Sequence, residues 1–585
     1  MFCPTCKGLL SRRKVRAQVV AHCPRCDGET LGTTDRPLAW WTGKQTAHIP
    51  NADRRAAKAK EPRAPKELPA PEKIDLPPGA DLFPFGSVRE GQRQFLADVA
   101  QAAKDGKHLL AHAPTGLGKT VSTLAPLVAY ALANGKRVFF LTSKQSQHKI
   151  AIDTLKAIRE KAGAPFVVSD IIGKQDMCPR REARDLFSKR FAEFCRREVV
   201  SKSCEYFEND NKAAIKILKQ RPQHVEELVI TSTDCVVCPH QTALDLAAQA
   251  HVVVCDYNYF FSDMRAQMAE RLRLDLSDVI LVVDEAHNLP DRIRDHLTLR
   301  LDEYVLDEAV DEAKDLGDEV LQRRIDTVRE VLGALALKEF EPEPRDVSRA
   351  ELVEGIDDAL ARGRITLTAT KYDDLLELVG EAIALYEQEF KADSTGLARL
   401  AEFLSNWKIE RRGVARILEA EPTPSLRYHI LDPAVLAKPV FDAVHASVVM
   451  SGTLHPLEMT RDVLGLDAER SVLRVYESPF PRENRLVVFD TAVTTGYKER
   501  TPEMFRDIAE RLASVALATP GNVAAFFPSY ALLEQVRPTV ERALRGRKKV
   551  FFEERGLDKS EKEGLVEQMR RGLDDTLLMG VMAGS

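Results

Sequence analysis

A phosphate-binding α/β fold wound around a buried parallel sheet is predicted by three observations. Short apolar runs each end in a polar or glycine-bearing signature: "HLLAHAPTGLGKT", "RVFFLTSKQSQ", "HVVVCDYNY", "VILVVDEAH" and "SVVMSGTL". Runs this short and this apolar suit strands buried on both faces, with their chemistry at the strand ends. Helix-like stretches separate them, as crossover connections in a parallel sheet require. The first run also leads through a glycine-rich turn straight into "TVSTLAPLVAYALA", the strand, loop and helix order that holds a phosphate.

Taken in order, the chain begins with Cys3, Cys6, Cys23 and Cys26 in the pattern C-x2-C-x16-C-x2-C, each pair set in a similar turn, "CPTCKG" and "CPRCDG". Four thiolates so presented suit structural Zn2+ in a zinc ribbon over residues 1–32, with a rubredoxin-like iron site as the alternative. Residues 33–82 shift to Pro, Ala, Lys and Glu, a composition that buries too little apolar area to fold alone and reads as a semi-extended tether. Trp40 and Trp41 within it read as a local hydrophobic anchor, with base stacking as the sharper alternative.

The nucleotide chemistry starts at "APTGLGKT". Amides from Thr115 to Lys119, with Gly116 and Gly118 supplying the flexibility, are positioned to cradle phosphate; Lys119 can reach the β and γ oxygens and Thr120 can ligate Mg2+. Ala113 stands where the strict pattern has glycine, a variant typical of superfamily 2 helicases. In "VILVVDEAH", Asp284 can hold Mg2+, Glu285 can polarise the attacking water, and His287 follows as the link to a polynucleotide site. Upstream, Gln92 in "FPFGSVREGQRQ" stands where such motors recognise adenine, the bland alternative being a surface glutamine on an amphipathic helix.

Between these two motifs lie Cys178, Cys195, Cys204, Cys235 and Cys238, while Cys255 sits inside an apolar strand as plain core. Arg180, Arg181, Arg184, Lys189, Arg190, Arg196, Arg197 and Lys202 surround the first of them, interleaved with Phe187, Phe191, Phe194 and Tyr206. Cations can track phosphates while aromatics stack on bases; a basic amphipathic helix facing water is the alternative. From Asp295 to Arg427 the pattern turns acidic and rich in Leu and Ala without comparable strand signals, which predicts a helical insertion.

The succession of P-loop, cysteine insertion, "CPHQTALDLAAQAHVVVCDYNYFF", "VVDEAHNLPDRIR", helical insertion, "LDPAVLAKPVFDAVHASVVMSGTLHP", "ESPFPRENR" and "NVAAFFPSY" resembles the XPD family of iron-sulfur superfamily 2 DNA helicases, with DinG-like helicases second. The resemblance spans about 83–585 and leaves the zinc ribbon outside it. It implies two RecA-like motor domains: the first in the segments 83–177, 239–294 and 428–458, interrupted by an iron-sulfur insertion at 178–238 and a helical arch at 295–427, and the second, incomplete, at 459–585. It also implies 5′ to 3′ movement on DNA and a 4Fe-4S cluster on Cys178, Cys195, Cys204 and Cys238. Cys235 is the alternative to Cys238, because "CVVC" offers two thiols so close together; zinc would accept the same thiolates, so the metal rests on the resemblance.

The same resemblance implies contacts to single-stranded DNA from Thr142, Ser146 and Gln147, from Tyr257 and Tyr259, and from Arg196 in the insertion. Phe526 and Tyr530 are similar candidates in the second motor domain, with a core role as the alternative for Phe526. The expected activity is an ATP-dependent DNA helicase that parts strands at an iron-sulfur wedge, in the DNA-repair setting usual for the family, with ATP, Mg2+, the cluster and Zn2+ as cofactors. Single-stranded and forked DNA are the expected partners of a monomeric motor.

The sequence ends at "TLLMGVMAGS", before the arginine-bearing motif that the resemblance implies would complete the ATP site. The expectation is therefore a fragment, an interrupted gene or one chain of a split helicase completed by a partner. In that form it binds ATP and DNA but hydrolyses ATP poorly, since such an arginine contributes about 10³ to 10⁵ in rate. A DNA clamp without turnover is the alternative function.

No apolar run approaches the roughly 20 residues of a membrane span, and "MFCPTCKGLL" lacks the order of a secretory signal, so a cytoplasmic location is expected, nucleoid-associated or nuclear according to organism. A formal net charge of -5 predicts no bulk attraction to nucleic acid, so binding must come from local basic patches.

Overall fold

Each of the apolar runs forms a strand, and their burial explains why they are apolar throughout. The computed structural model describes residues 82–581 apart from 164–165, 185, 187, 263, 338–343, 363–370, 391–394, 421–422, 497–498, 558 and 571–574, together with the backbone of four short strands near the start. Those four are β1 (Ser11–Val15), β2 (Gln18–Cys23), β3 (Gly28–Thr30) and β4 (His48–Ile49), consecutive and antiparallel. Cys23 closes β2; Cys3, Cys6 and Cys26 lie outside the described residues, as does nearly all of the tether.

The chain divides into two units, Met1–Phe480 and Pro481–Ser585. The first is built on β5 (His108–His112), β6 (Arg137–Leu141), β7 (Val168–Ile171), β8 (Val252–Cys255) and β9 (Val279–Val283), with α1 (Glu90–Asp105), α2 (Lys119–Asn134) and α3 (Gln145–Ala162) before β7. Between β7 and β8 run α4 (Ser188–Val200), α5 (Val225–Asp234) and α6 (Pro239–Ala247), the cysteine insertion and its return. Later come β14 (Ala446–Ser451) and β15 (Ser471–Val475), completing a seven-stranded sheet of order β15-β5-β14-β9-β6-β8-β7, parallel throughout.

Side chains alternate between its two faces: Phe139 and Leu141 enter one core, Val138 and Phe140 the other. Because both faces are covered, the alternation is invisible as polarity, and only an unbroken apolar run reaches the sequence. Cys255 is fully buried, as expected for core, and burial pushes its thiol well above the usual range.

Two boundaries differ from expectation. β15 pairs with β5 as a further strand of the first sheet, so this unit runs past 458 to Phe480. The insertion expected to be helical carries a sheet of its own. It joins α7 (Glu303–Asp315), α8 (Glu319–Leu337), α9 (Arg349–Arg362), α10 (Tyr372–Phe390) and α11 (Gly396–Lys408) to an antiparallel sheet of β10 (Leu299–Asp302), β11 (Arg345–Asp346), β12 (Val414–Glu419) and β13 (Ser425–Ile430). Only alternate residues of these strands meet the helices, so they lack the apolar runs that mark the motor strands. Leu301, Leu418, Leu426 and Tyr428 join Trp407 and Phe403 in a separate core.

The second unit has β16 (Val523–Phe527), β17 (Lys549–Phe552) and β18 (Thr576–Val581) in a parallel sheet of order β16-β18-β17, with α12 (Pro502–Ala518), α13 (Tyr530–Leu544) and α14 (Lys559–Arg570). Phe526 is exposed there, not core, while the Tyr530 hydroxyl donates to Glu553 Oε1 at 2.7 Å.

Candidate nucleotide and nucleic-acid site

Three neighbouring strands, β5, β14 and β9, deliver the catalytic candidates to one edge. Their register sets His112 opposite Ser451 and Val449 opposite Val283, so the P-loop, Ser451 and Asp284 leave the sheet at the same level. Loops at the carboxyl ends of parallel strands are where such sheets bind ligands.

Within the P-loop, Gly116 (φ 89°) and Gly118 (φ 79°) are both left-handed, and Gly118 caps α2. The chain can thereby turn its amides inward at the helix N-terminus. Ala113 needs no such freedom: its N–H continues the sheet, donating to the Ser451 carbonyl at 2.9 Å. Gln92 is buried, its Oε1 accepting from Arg89 N at 3.0 Å, and its amide nitrogen lies 2.4 Å from where a Cβ on Gly118 would be. The glutamine therefore packs on the loop and does not project as a surface residue. Thr115 is exposed and Thr120 half-buried at the head of α2.

Lys119 Nζ reaches to 3.7 Å from Glu285 Oε1, joining the P-loop to the DEAH segment. Glu285 itself is a non-glycine residue at φ 49°, a strained conformation of the sort that clusters at functional sites. Its other oxygen accepts from Ser451 Oγ at 3.2 Å, while His287 Nδ1 lies 2.7 Å from the same hydroxyl. Ser451 thus bridges the water-polarising candidate and the histidine.

Asp284 is buried, and desolvation, with Glu285 next to it, pushes its carboxyl up to about 6. Its Oδ1 is the only carboxylate oxygen among the described residues that is buried without a hydrogen-bond partner. A hard divalent cation, bound through one or two carboxylates, a hydroxyl and phosphate, is what such an oxygen fits.

Two residues at this edge escaped sequence reasoning. Arg89 donates from Nη1 to the Gly116 carbonyl at 3.2 Å. Phe480 lays its ring over Gly116, filling space 2.4 Å from where a Cβ would stand. The run "ESPFP" enters the resemblance as a motif, but nothing in it marks Phe480 for that role. Ser451 has a signal: a hydroxyl that closes a buried strand directly before a glycine.

The nucleic-acid candidates divide. Ser146 is exposed and Gln147 half-buried, as a contact surface requires. Thr142 is buried, its hydroxyl bonded to Gln147 Oε1. Tyr257 is also buried, and its hydroxyl donates to the backbone carbonyls of Asp284 and Glu285. Tyr259 packs in the same core and donates to the Ile172 carbonyl at 3.2 Å. These three side chains are spent on the interior, and none presents a face to a polynucleotide.

In the insertion, Arg181, Arg184, Arg197 and Lys202 are exposed and Arg196 is half-buried. Arg180 is instead held by Glu198 and Glu182, each at 2.8 Å, and together with Arg197 it flanks the Phe194 ring. Phe191 is core, which removes it from the stacking set; Phe187 lies outside the described residues.

All five insertion cysteines are free and half-buried. Burial raises the thiols of Cys178 and Cys238, and the charges of Cys195 and Cys204 act on both in the same direction. Among the described residues no three His, Cys, Asp or Glu side chains converge closely enough to hold a single metal ion.

Residues 140–306 match the DEAD_2 family. Across 78% of its length the chain is 22% identical to the general transcription and DNA repair factor IIH helicase subunit XPD/RAD3 of Saccharomyces cerevisiae, covering 69% of that protein. It is 23% identical to the ATP-dependent DNA helicase XPD of Sulfolobus acidocaldarius, over 77% of this chain and 74% of that one. A solved XPD helicase structure shares the fold with a TM-score of 0.51 at 19% identity, over 86% of this chain and 81% of the other.

Proposed function

We propose that this chain is an XPD-family superfamily 2 helicase that uses ATP hydrolysis to move 5′ to 3′ along single-stranded DNA, parting the duplex at its cysteine insertion in the setting of DNA repair. The observation that carries the reading is the convergence of Lys119, Glu285, Ser451 and His287 at one sheet edge.

Lys119 and the P-loop amides bind the phosphates, Gln92 and Arg89 hold the loop in shape, and Thr120 and Asp284 would ligate Mg2+, which supplies charge neutralisation at the transferring phosphoryl group. Glu285 orients the attacking water. Because its two oxygens face Lys119 on one side and Ser451 on the other, a shift in either partner moves the same carboxylate. His287 shares that serine, so hydrolysis and the polynucleotide side meet at one hydroxyl.

For the insertion we favour Cys178, Cys195, Cys204 and Cys238 as ligands of a 4Fe-4S cluster. The charges of Cys195 and Cys204 bear on both Cys178 and Cys238, which supports that set. The cluster would stiffen a segment whose exposed cations Arg181, Arg184, Arg197 and Lys202 face the strand to be parted. Separating one base-pair step costs about 1.4 kcal/mol of stacking on average, a cost within reach of nucleotide-driven movement. Zn2+ on Cys3, Cys6, Cys23 and Cys26 completes the proposed cofactors.

The test is unwinding of forked duplexes carrying a single 5′ or 3′ tail. The expected result is ATP-dependent opening of the 5′-tailed fork, abolished by Lys119→Ala. Opening only of the 3′-tailed fork overturns the polarity, and DNA binding with no DNA-stimulated hydrolysis overturns the motor.

A further inference from the structure

Asp170 is a fully buried carboxylate in the middle of β7, the edge strand of the motor sheet, and the nucleotide chemistry makes no use of it. Its Oδ1 lies 2.6 Å from Nδ1 of His148, itself buried on α3. Its Oδ2 accepts from the N–H of Val225, the first residue of α5, at 2.9 Å. His224 caps that helix, its Nδ1 accepting from Glu226 N at 3.4 Å, and its buried Nε2 lies 3.9 Å from Asp170 Oδ2, beyond hydrogen-bond distance.

One carboxylate therefore bonds to two helices that pack on β7, α3 and, from the insertion, α5. α3 begins at Gln145 and carries Ser146 and Gln147, the accessible members of the DNA-contact set. α5 ends at Cys235 and leads into Cys238, which caps α6. Further along the same face of α3, Lys156 pairs with Glu227 at 3.4 Å and Arg159 donates to the Lys219 carbonyl at 3.0 Å. Those outer contacts are partly solvated and weak, whereas charged hydrogen bonds shut away from water are worth several times more.

We propose that Asp170 is a positioning residue that couples α3 to α5, transmitting displacement of the strand-contacting end of the motor to the cysteine insertion. This rests on the helicase reading above. A motor whose α3 and insertion move as one body converts each step into force at the fork; with the link weakened, α3 steps while the insertion lags.

The experiment uses the full chain, purified anaerobically, with Asp170→Asn, which keeps shape but removes the charge, and His148→Asn, which frees α3 while leaving the bond to Val225. Base pairs opened per ATP hydrolysed should fall about tenfold in both. DNA-stimulated hydrolysis, KM for ATP, single-strand affinity and iron content should each stay within about twofold. Amide exchange across Val225–Asp234 should speed up in Asp170→Asn even without DNA, a readout that needs neither cluster nor unwinding. If hydrolysis and unwinding fall in proportion, Asp170 is merely structural; if the opening ratio and the exchange are both unchanged, there is no coupling. A wild type that protects Val225–Asp234 yet opens no fork defeats the helicase reading and leaves the mechanical link standing.

Discussion

Tyr257 shows how one residue's chemistry can be read in two directions. As a tyrosine after a strand it suits stacking on a base; in the fold its hydroxyl instead holds the carbonyls of Asp284 and Glu285, fixing the strained turn that aims Glu285. Tyr257→Phe should therefore lower kcat for ATP by about tenfold, leaving single-strand affinity unchanged. Steady-state hydrolysis and fluorescence anisotropy separate this from a DNA-contact role, which would give the reverse.

Asp284 makes a pH prediction. Its carboxyl is raised to about 6 in the folded chain, so the metal-free fold binds a proton there that the unfolded chain releases sooner. Stability is then lost as pH rises from the ordinary carboxylate range through about 6, and the penalty is full above that. In EDTA at pH 8, Asp284→Asn should be more stable than wild type by on the order of 2 kcal/mol, the gap closing near pH 4. Denaturation at the two pH values checks it. The same substitution should abolish Mg2+-dependent hydrolysis. At Gly116, Gly116→Ala forces a Cβ into the Phe480 ring at φ 89°; ATP affinity should fall about tenfold or more by nucleotide titration.

At the scale of elements, what could be read in advance follows burial. Strands β5, β6, β8, β9 and β14 each hold an unbroken apolar run at their centre and announce themselves. β15 does not: "SVLRV" is only half-buried at the edge of the sheet and carries an arginine, so it read as part of the next domain. The arch strands were missed because "VARILE" and "SLRYHI" show one face to water.

A single buried acid organises that insertion. Glu312 on α7 accepts from Thr395 N and Gly396 N through Oε1, at 2.7 and 2.9 Å, and from Leu397 N through Oε2 at 3.0 Å, satisfying the first amides of α11. No spacing rule links residues so far apart in the chain. Glu312→Ala should cost about 2–4 kcal/mol, because it strands buried donors at a helix start. Proteolysis should then cut α10 and α11 faster while cleavage of the motor sheet stays unchanged.

Over the whole molecule, the motifs of nucleotide chemistry were legible because each is local: a strand, a few residues, a helix. Lys119, Asp284, Glu285 and His287 needed only that context. The partners that link motifs were not legible, since Ser451 reaches Glu285, and Phe480 reaches Gly116, only through the sheet order. The cysteines stand between these cases. Their number and grouping are legible, whereas the choice between Cys235 and Cys238 carries no sequence signal, since both belong to one "CVVC" turn.

The central claim is that hydrolysis at the β5, β14 and β9 edge drives strands apart at an iron-sulfur insertion. Its most direct test is iron content together with fork opening, for anaerobically purified wild type and Cys195→Ser. Wild type should carry a coloured cluster and open a 5′-tailed fork; Cys195→Ser should lose both and keep its ATP affinity. A colourless, iron-free wild type, or a Cys195→Ser chain that opens forks at the full rate, would contradict it.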